Sequence, residues 1–185
     1  MIHSELLLTM RTAVSKAALA TRAVHSDASI AGIAKDDRSP VTVADWASQA
    51  VVALVLRASP FADVSLVGEE EAAALRAPES SELRARVVAA VSRALGPVTE
   101  HDVLHAIDHG RGAPAERFLT LDPVDGTKGF LRRQQYAISL ALIEHGTVAA
   151  GVVGCPNLAS DGADYDRAAP PGTFAVAARG AGADP

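Results

Sequence analysis

The chain has 185 residues, a length sufficient for one substantial domain. Its apolar fraction of 49% and its charged fraction of 21% are close to the averages of globular domains, so we expect a packed core rather than disorder. The net charge of −5 argues against broad binding to nucleic acid or to an anionic membrane.

Hydrophobic periodicity and turn residues predict a mixture of helices and strands. Apolar residues spaced by three and four indicate helices, and short apolar runs bounded by turn residues indicate strands. Gly96 and Pro97 end one helix, and Gly146 completes a β-hairpin signal. In chain order, the predicted elements are helices over 4–26 and 42–57, a strand over 63–67, helices over 80–95 and 100–109, and strands over 118–121, 136–143, 147–153 and 173–177.

Composition and termini also bear on where the protein works. The single cysteine, Cys155, cannot form an intrachain disulfide, and a reducing compartment is the simpler interpretation. The N-terminal segment lacks the order of a signal peptide because Glu5, Arg11 and Lys16 interrupt its apolar residues. No stretch approaches the length of an uncharged membrane span. We therefore expect a cytoplasmic protein that does not bind membranes.

The string LDPVDGTKGF carries the strongest chemical signal. Asp122 and Asp125 stand three apart across Pro123, which lacks the N–H that a strand donates, so we expect the strand to end there. Gly126 permits close approach by a ligand, and a helix that begins near Thr127 would direct backbone N–H groups at an anion. Two carboxylates beside a phosphate-binding turn are a pattern that Mg²⁺ favours.

Two other interpretations of this string are weaker. An aspartate that caps a helix explains an isolated D-x-x-D-G, but it does not explain all ten residues. Aspartyl-phosphate enzymes use D-x-D-G-T, whereas one extra residue separates Asp122 from Asp125 here. That spacing disfavours a covalent aspartyl-phosphate intermediate.

Two further segments supply acidic residues. In VGEE, Glu69 follows a predicted strand and a glycine, although glutamates 69–71 also fit a solvated charge run. In SPVTVADWASQ, Thr42 is predicted as a helix N-cap with Asp45 in the capping-box position. The functional alternative is that Asp45 reaches the phosphate site and orients the hydroxyl of Thr127, which is too weak a base to act alone.

Together these segments resemble the inositol monophosphatase superfamily in order and context. Within it, SPVT-x-x-D, VGEE, DP-x-DGTKGFLR, the QYA strand start and GCPNL resemble the 3'(2'),5'-bisphosphate nucleotidases. The resemblance implies an α/β (α+β) fold in which helices pack on a largely antiparallel sheet. It also implies that residues 1–185 form a single N-terminal domain, with a Gly/Ala/Pro-rich tail over 160–185 of uncertain order.

The resemblance assigns the metal ligands. It implies that Glu69, Asp122 and the backbone carbonyl of Val124 hold one Mg²⁺, and that Asp122 and Asp125 hold a second. The bound metals would lower the pKa of a water molecule and neutralise charge on the leaving oxygen.

The resemblance also assigns the residues that handle water and phosphate. It implies that Asp45 and Thr127 activate water, that Gly126 and Thr127 donate backbone N–H groups to phosphate, and that Asp125 lies at the same phosphate. The implied substrate is adenosine 3',5'-bisphosphate, which yields AMP and phosphate, or its sulfated form. Sensitivity to lithium and a role in sulfur assimilation are implied as well.

Family members continue beyond the point where this sequence stops, through a W-D-x-A segment that completes the second metal site. The tryptophan of this chain is Trp46, far upstream. We therefore expect an incomplete second metal site and poor hydrolysis by residues 1–185 alone. A truncated, non-catalytic remnant or subunit that binds metal or phosphate stays open, as does an inositol-phosphate phosphatase. An uncovered sheet edge would favour self-association.

Overall fold

The computed structural model describes residues 2–26, 40–159 and 172–184, and these residues form helices packed on one sheet. The helices are α1 (Ile2–Ser26), α2 (Pro40–Arg57), α3 (Ala73–Arg76), α4 (Ser81–Leu95), α5 (Glu100–His109) and α6 (Thr127–Leu131). The strands are β1 (Ser65–Val67), β2 (Arg117–Asp125), β3 (Ala137–Glu144), β4 (Thr147–Cys155), β5 (Thr173–Ala178) and β6 (Gly182–Asp184).

The sheet has six strands in the order β1-β2-β3-β4-β5-β6, so spatial order follows chain order. β1 runs parallel to β2, and every other neighbouring pair is antiparallel. This arrangement confirms the predicted α/β fold with a largely antiparallel sheet. The single parallel pair is possible because helices α3, α4 and α5 lie between β1 and β2 in the chain.

Helices α1 and α2 pack against each other and against the sheet, α1 on β3, β4 and β5 and α2 on β2. Small side chains make this close packing possible: Ala13, Ala17 and Ala50 are fully buried. A Cβ atom added at Gly154 of β4 would lie 2.6 Å from the side chain of Val14 on α1. The high alanine content of the sequence therefore reflects tight contact between these helices and the sheet.

The start of α2 corrects the capping prediction. The helix begins at Pro40, so Thr42 lies inside it and is not the N-cap residue. Proline suits the first turn of a helix because its fixed φ is helical and the N–H that it lacks would have no helical partner there. Asp45 is consequently one residue of a helix that has already begun, and its carboxylate is available for tertiary contacts.

The end of β2 corrects a second prediction. Pro123 does not end the strand, which continues to Asp125. Asp122 pairs with Ser139 and Asp125 pairs with Ala137, so β2 has one more residue than β3 between these two pairs. This bulge accommodates a proline that cannot donate a ladder hydrogen bond, because the ladder is already interrupted there.

Other differences lie at element ends. β1 begins at Ser65 rather than at residue 63, because a turn in which the Val64 N–H donates to the Phe61 carbonyl precedes it. The short helix α3 and strand β6 were not predicted. The predicted strand over 173–177 is confirmed as β5, while residues 160–171 of the predicted tail lie outside the described residues.

The two faces of the sheet differ in character. Buried side chains of β3 and β4, such as Leu140 and Val152, point to the helices, whereas Val148 and Val153 are exposed on the opposite face. A shallow apolar depression of about 420 Å³ lies there, between β4 and β5. Within the described part of the chain, no helix is long and apolar enough to cross a bilayer.

Candidate active site

The parallel pairing of β1 and β2 brings two acidic segments to one edge of the sheet. Val67, the last residue of β1, pairs with Thr120 of β2. Glu69 follows Val67 by two residues and Asp122 follows Thr120 by two, so the register places both just beyond the paired region. Because parallel strands end at the same side of a sheet, the two carboxylates are neighbours.

The bulge in β2 then shapes the turn that follows Asp122. Val124 is buried and Asp125 is exposed at the end of the strand. Gly126 has a φ of 93° in the left-handed region, a conformation that side chains with a Cβ rarely adopt. It precedes α6, which begins at Thr127, so the predicted helix start is confirmed.

Helix α2 supplies the third acidic residue. It contacts both β2 and α6, and Asp45 lies on it within electrostatic reach of the two strand ends. Burial raises the pKa of Asp45 to about 8, and the negative charges of Glu70, Asp122 and Glu69 add to the effect. A half-buried carboxyl group with three acidic neighbours is therefore at the centre of this region.

The neighbouring carboxylates influence one another in the same direction. Burial, followed by the charges of Asp122 and Asp125, raises the pKa of Glu69. Burial and the charge of Asp125 raise the pKa of Asp122, and burial and Glu69 raise the pKa of Glu70. We call Asp45, Glu69, Glu70, Asp122 and Asp125 the carboxylate cluster. Their mutual repulsion is the condition that a bound cation relieves.

The geometry of the cluster bears on the metal prediction. Across residues 2–26, 40–159 and 172–184, no three or more His, Cys, Asp or Glu side chains are arranged as a ligand set for a metal ion. The donor chemistry nevertheless fits Mg²⁺, which prefers carboxylate and carbonyl oxygens. The metal-ligand roles of Glu69, Asp122, Val124 and Asp125 therefore stay predictions.

The helices that carry the predicted pair of Asp45 and Thr127 are neighbours. Thr127 is exposed at the start of α6, and α2 and α6 are in contact. The charge of Asp122, five residues before Thr127, contributes to the raised pKa of Asp45. The two residues are thus in one region of the fold despite their separation in sequence, and their joint role in activating water stays a prediction.

Sequence reasoning missed two residues of this region. In the sequence Glu70 fits a charge run, yet it is the first of the three carboxylates whose charges raise the pKa of Asp45. Gln49 has no predicted role, although its buried side chain binds the backbone of Glu69 and Glu70. The available signal was spacing, because Gln49 follows Asp45 by four residues and shares its helix face.

An aromatic cluster supports α6 from the side of α1. The ring of His25 stacks on Phe130 with centroids 4.0 Å apart, and Phe130 meets Tyr136 edge-on at 5.0 Å. The hydroxyl groups of Thr21 and Tyr136 are hydrogen-bonded at 2.8 Å. Burial lowers the pKa of His25, which favours the neutral ring in this apolar contact. This aromatic cluster fixes α6 relative to α1 and to the start of β3.

A cleft of about 290 Å³ opens beside Asp125. Gly126, Tyr136, Cys155 and Leu158 contribute to its lining, so it joins the turn before α6 to the end of β4. Burial raises the pKa of the Cys155 thiol, which favours its uncharged form. The wall opposite Asp125 is accordingly neutral and largely apolar.

The sequence has recognisable relatives. Residues 4–184 match the inositol monophosphatase family. The chain is 43% identical over 171 residues to a probable 3'(2'),5'-bisphosphate nucleotidase 3 of Arabidopsis thaliana, covering 85% of this chain and 48% of that protein. It is 37% identical over 193 residues to a 3'(2'),5'-bisphosphate nucleotidase of Emericella nidulans, covering 92% of this chain and 54% of that protein.

A solved structure agrees in fold. The crystal structure of CysQ from Bacteroides thetaiotaomicron, a bacterial member of the inositol monophosphatase family, matches with a TM-score of 0.58 and 17% identity. The match covers 96% of this chain and 47% of that chain, and at this identity it shows the fold alone.

The structure is an α/β domain with carboxylates gathered at one sheet edge. The chain belongs to the inositol monophosphatase family, which is a family of metal-dependent phosphatases. It spans about half the length of the curated relatives that it matches, 48% of the Arabidopsis protein and 54% of the Emericella protein.

Proposed function

We propose that this chain carries the metal and phosphate site of a magnesium-dependent phosphomonoesterase that acts on 3'(2'),5'-bisphosphate nucleotides. One observation carries the proposal: carboxylates from α2, from the turn after β1 and from the end of β2 lie at a single sheet edge, where burial and neighbouring negative charges raise the pKa values of Asp45, Glu69 and Asp122. Repulsion of this kind destabilises the fold unless a cation offsets it, so a functional role explains its presence. In this proposal residues 1–185 are one domain, equivalent to the N-terminal part of the relatives.

The proposed metal ligands are those that the resemblance implied. Glu69, Asp122 and the carbonyl of Val124 would hold one Mg²⁺, and Asp122 and Asp125 would hold a second. When bound, Mg²⁺ lowers the pKa of water and neutralises charge on phosphate and leaving oxygens. Asp122 belongs to both sets, and the bulge in β2 is what separates it from Asp125 along the edge.

The remaining residues handle the water and the phosphate. In the proposed mechanism the Thr127 hydroxyl orients the attacking water, and Asp45 accepts a hydrogen bond from that hydroxyl and so strengthens it as a base. The backbone N–H groups of Gly126 and Thr127 donate to the phosphate oxygens. No phosphoenzyme forms, because water attacks the phosphorus directly.

The cleft beside Asp125 suits the rest of the substrate. Its position next to the proposed phosphate site and its apolar wall at Tyr136 and Leu158 support binding of the nucleoside part of the substrate. The Arabidopsis and Emericella relatives are named for the same substrate class. We therefore propose adenosine 3',5'-bisphosphate as substrate, together with lithium sensitivity, a cytoplasmic location and a role in sulfur assimilation.

Phosphate release tests the proposal. Purified residues 1–185 are assayed with Mg²⁺ on adenosine 3',5'-bisphosphate, on AMP and on inositol 1-phosphate, beside an otherwise identical Asp122→Asn protein. Release from the bisphosphate alone, lost in Asp122→Asn and inhibited by lithium, supports the proposal. Preference for inositol 1-phosphate favours the second enzyme class that the sequence left open.

A second protein tests the contribution of the remaining half. The same assay is run on residues 1–185 fused to the C-terminal half of the Arabidopsis relative. Because the chain spans only 48% of that protein, we expect the fusion to release phosphate faster than residues 1–185. Magnesium binding without hydrolysis by either protein would support the non-catalytic alternative and reject the enzyme.

A further inference from the structure

The side chain of Gln49 makes several hydrogen bonds to the backbone of the proposed active site. Helix α2 does not need these hydrogen bonds in order to form. Gln49 is fully buried. Its Oε1 accepts from the N–H groups of Glu69 and Glu70, at 3.1 and 3.0 Å. Its Nε2 donates to the carbonyl oxygens of Glu70 and Ile107, both at 2.8 Å. The side-chain amide thus uses both donors and two acceptor sites.

The glycines around this amide leave no room for another side chain. A Cβ atom added at Gly68 would lie 2.3 Å from Oε1 of Gln49, and one added at Gly110 would lie 2.5 Å from its Nε2. The N–H of Gly68 also donates to the carbonyl of Gly110 at 2.6 Å. The turn after β1 and the end of α5 therefore close around the Gln49 amide. The amide is tightly packed there as well as hydrogen-bonded.

Helix α2 consequently holds two parts of the carboxylate cluster. Asp45 is itself a member, and Gln49, one helical turn later, binds the backbone on which Glu69 and Glu70 are mounted. Asp45 and the acidic turn belong to segments that are distant in the chain, so their relative position depends on contacts between α2 and the backbone of residues 69 and 70. Gln49 supplies three such hydrogen bonds.

We propose that Gln49 is a positioning residue of the active site: its amide fixes the turn that carries Glu69 and Glu70 relative to Asp45, and so determines cation affinity. The inference rests on the proposed function, because it takes Mg²⁺ as the cation. Gln49 touches neither substrate nor metal in this account and acts only through the backbone of residues 69 and 70.

A matched control is available in the same helix. The indole N–H of Trp46 donates to the carbonyl of Glu71 at 3.1 Å, so it binds the same turn at a residue outside the cluster. Trp46→Phe removes that one hydrogen bond. Val91→Ala, in α4, is a buried change that lowers stability away from the turn. If Mg²⁺ binding weakens in the Gln49 variants but not in these two controls, the cause is the position of the turn and not general stability.

Magnesium binding is measured by calorimetry on wild type, Gln49→Met, Gln49→Glu, Trp46→Phe and Val91→Ala, each at a temperature at which it is folded. Gln49→Met keeps the side-chain length and removes all four hydrogen bonds, so we expect the Kd for Mg²⁺ to rise about 10-fold or more. Gln49→Glu keeps an acceptor and loses donors, and we expect a rise of about 3-fold or more. Both controls should stay within about 2-fold of wild type.

Amide hydrogen exchange gives a second readout that does not depend on metal. In wild type the Glu69 and Glu70 amides should exchange slowly, and in Gln49→Met they should exchange at least about 10-fold faster. The Gly112 amide, which donates to the Leu66 carbonyl at 2.9 Å, should not change. If Gln49→Met does not fold, the Kd of Gln49→Glu decides.

The outcomes are distinct. A Gln49 variant that is less stable but binds Mg²⁺ as wild type does would overturn the proposal and leave Gln49 with a structural role alone. Unchanged exchange at Glu69 and Glu70 would overturn it as well. If wild type binds no Mg²⁺, the proposed function fails at its metal site, while the exchange rates still decide whether Gln49 holds the turn.

Discussion

The two ends of the sheet differ in the side chains that they carry. At the β1–β2 edge, acidic side chains lie close together, and the Gln49 side chain of α2 is hydrogen-bonded to the backbone of the turn after β1. At the β4–β6 end, the exposed face carries small and apolar residues, and among the described residues α1 packs on the other face. The first end concentrates carboxylates, whereas the second end has a mostly apolar outer face with Arg179 at its margin.

In this fold, the apolar contacts that stabilise the domain lie apart from the carboxylate cluster. The apolar contacts of α1 with β3, β4 and β5 stabilise the domain without involving the carboxylate cluster. The carboxylate cluster, in turn, adjoins the hydrogen bonds that Gln49 makes to the backbone of residues 69 and 70, and we expect their loss to affect the cluster more than the fold. Substitutions at the two ends should therefore have different consequences, and the predictions below test that difference.

The largest expected effect is on cation binding at the acidic edge. Glu69→Gln should raise the Kd for Mg²⁺ by about 100-fold or more, because the proposed function makes Glu69 a direct ligand, and losing a direct ligand should cost at least as much as losing an outer contact. Glu71→Gln is the control, since Glu71 is exposed and paired with Arg111 at 3.2 Å. Calorimetric titration of both variants measures the difference. Equal losses in the two variants would mean that nonspecific charge, not a site, attracts the cation.

The next effect compares adjacent residues of β4 on opposite faces. Val152 is fully buried against the helices and Val153 is 37% exposed. Val152→Ala should lower the free energy of unfolding by about 2 kcal/mol, since it removes buried methyl groups and leaves a cavity. Val153→Ala should change it by less than about 0.5 kcal/mol. Urea unfolding measures both, and similar losses would show that the outer face is covered in solution.

The third prediction concerns pH. In metal-free protein the pKa of Asp45 is raised to about 8, so between its ordinary value and 8 the folded state keeps a proton that the unfolded state releases. Stability should therefore fall as pH rises through this window. Asp45→Asn should add about 1–2 kcal/mol at pH 8, after allowance for relaxation of neighbouring carboxylates, and less at pH 5.

Thermal unfolding of wild type and Asp45→Asn in the presence of a chelator, at both pH values, checks this prediction. Added Mg²⁺ should reduce the advantage of the variant at pH 8, because the cation offsets the same repulsion. A variant that is less stable than wild type at pH 8 would show that Asp45 makes a favourable contact that outweighs its burial.

The smallest expected effect concerns self-association through the outer face at the β4–β6 end. Val148 is 56% exposed and Val153 is 37% exposed, so they are the side chains that a second copy would cover first. If the face self-associates, Val148→Lys should weaken the dimer about 10-fold, the equivalent of one buried valine. Thr147→Lys, at the exposed start of β4, is the control. Sedimentation equilibrium distinguishes a dimer that Val148→Lys weakens from a chain that stays monomeric at all concentrations.

Much of the fold was predictable because local signals act over short distances. The α5 prediction over Glu100–His109 is confirmed to the residue, and the helix before it ends at Leu95, as Gly96 and Pro97 indicated. Predictions failed where tertiary pairing overrode a local rule. Pro123 should have ended β2, yet pairing with β3 carries the strand on to Asp125 through a bulge.

The sequence by itself determined the family to which the chain belongs. The string from Asp122 to Thr127, VGEE and the segment around Asp45 predicted the site residues, because residue types and spacing are local properties of the chain. Only the tertiary structure decided which of these residues face one another. Glu70 and Gln49 entered the site through the parallel pairing of β1 with β2 and the packing of α2. Burial and proximity are set by contacts between distant segments, and these determine both the pKa of Asp45 and the hydrogen bonds of Gln49.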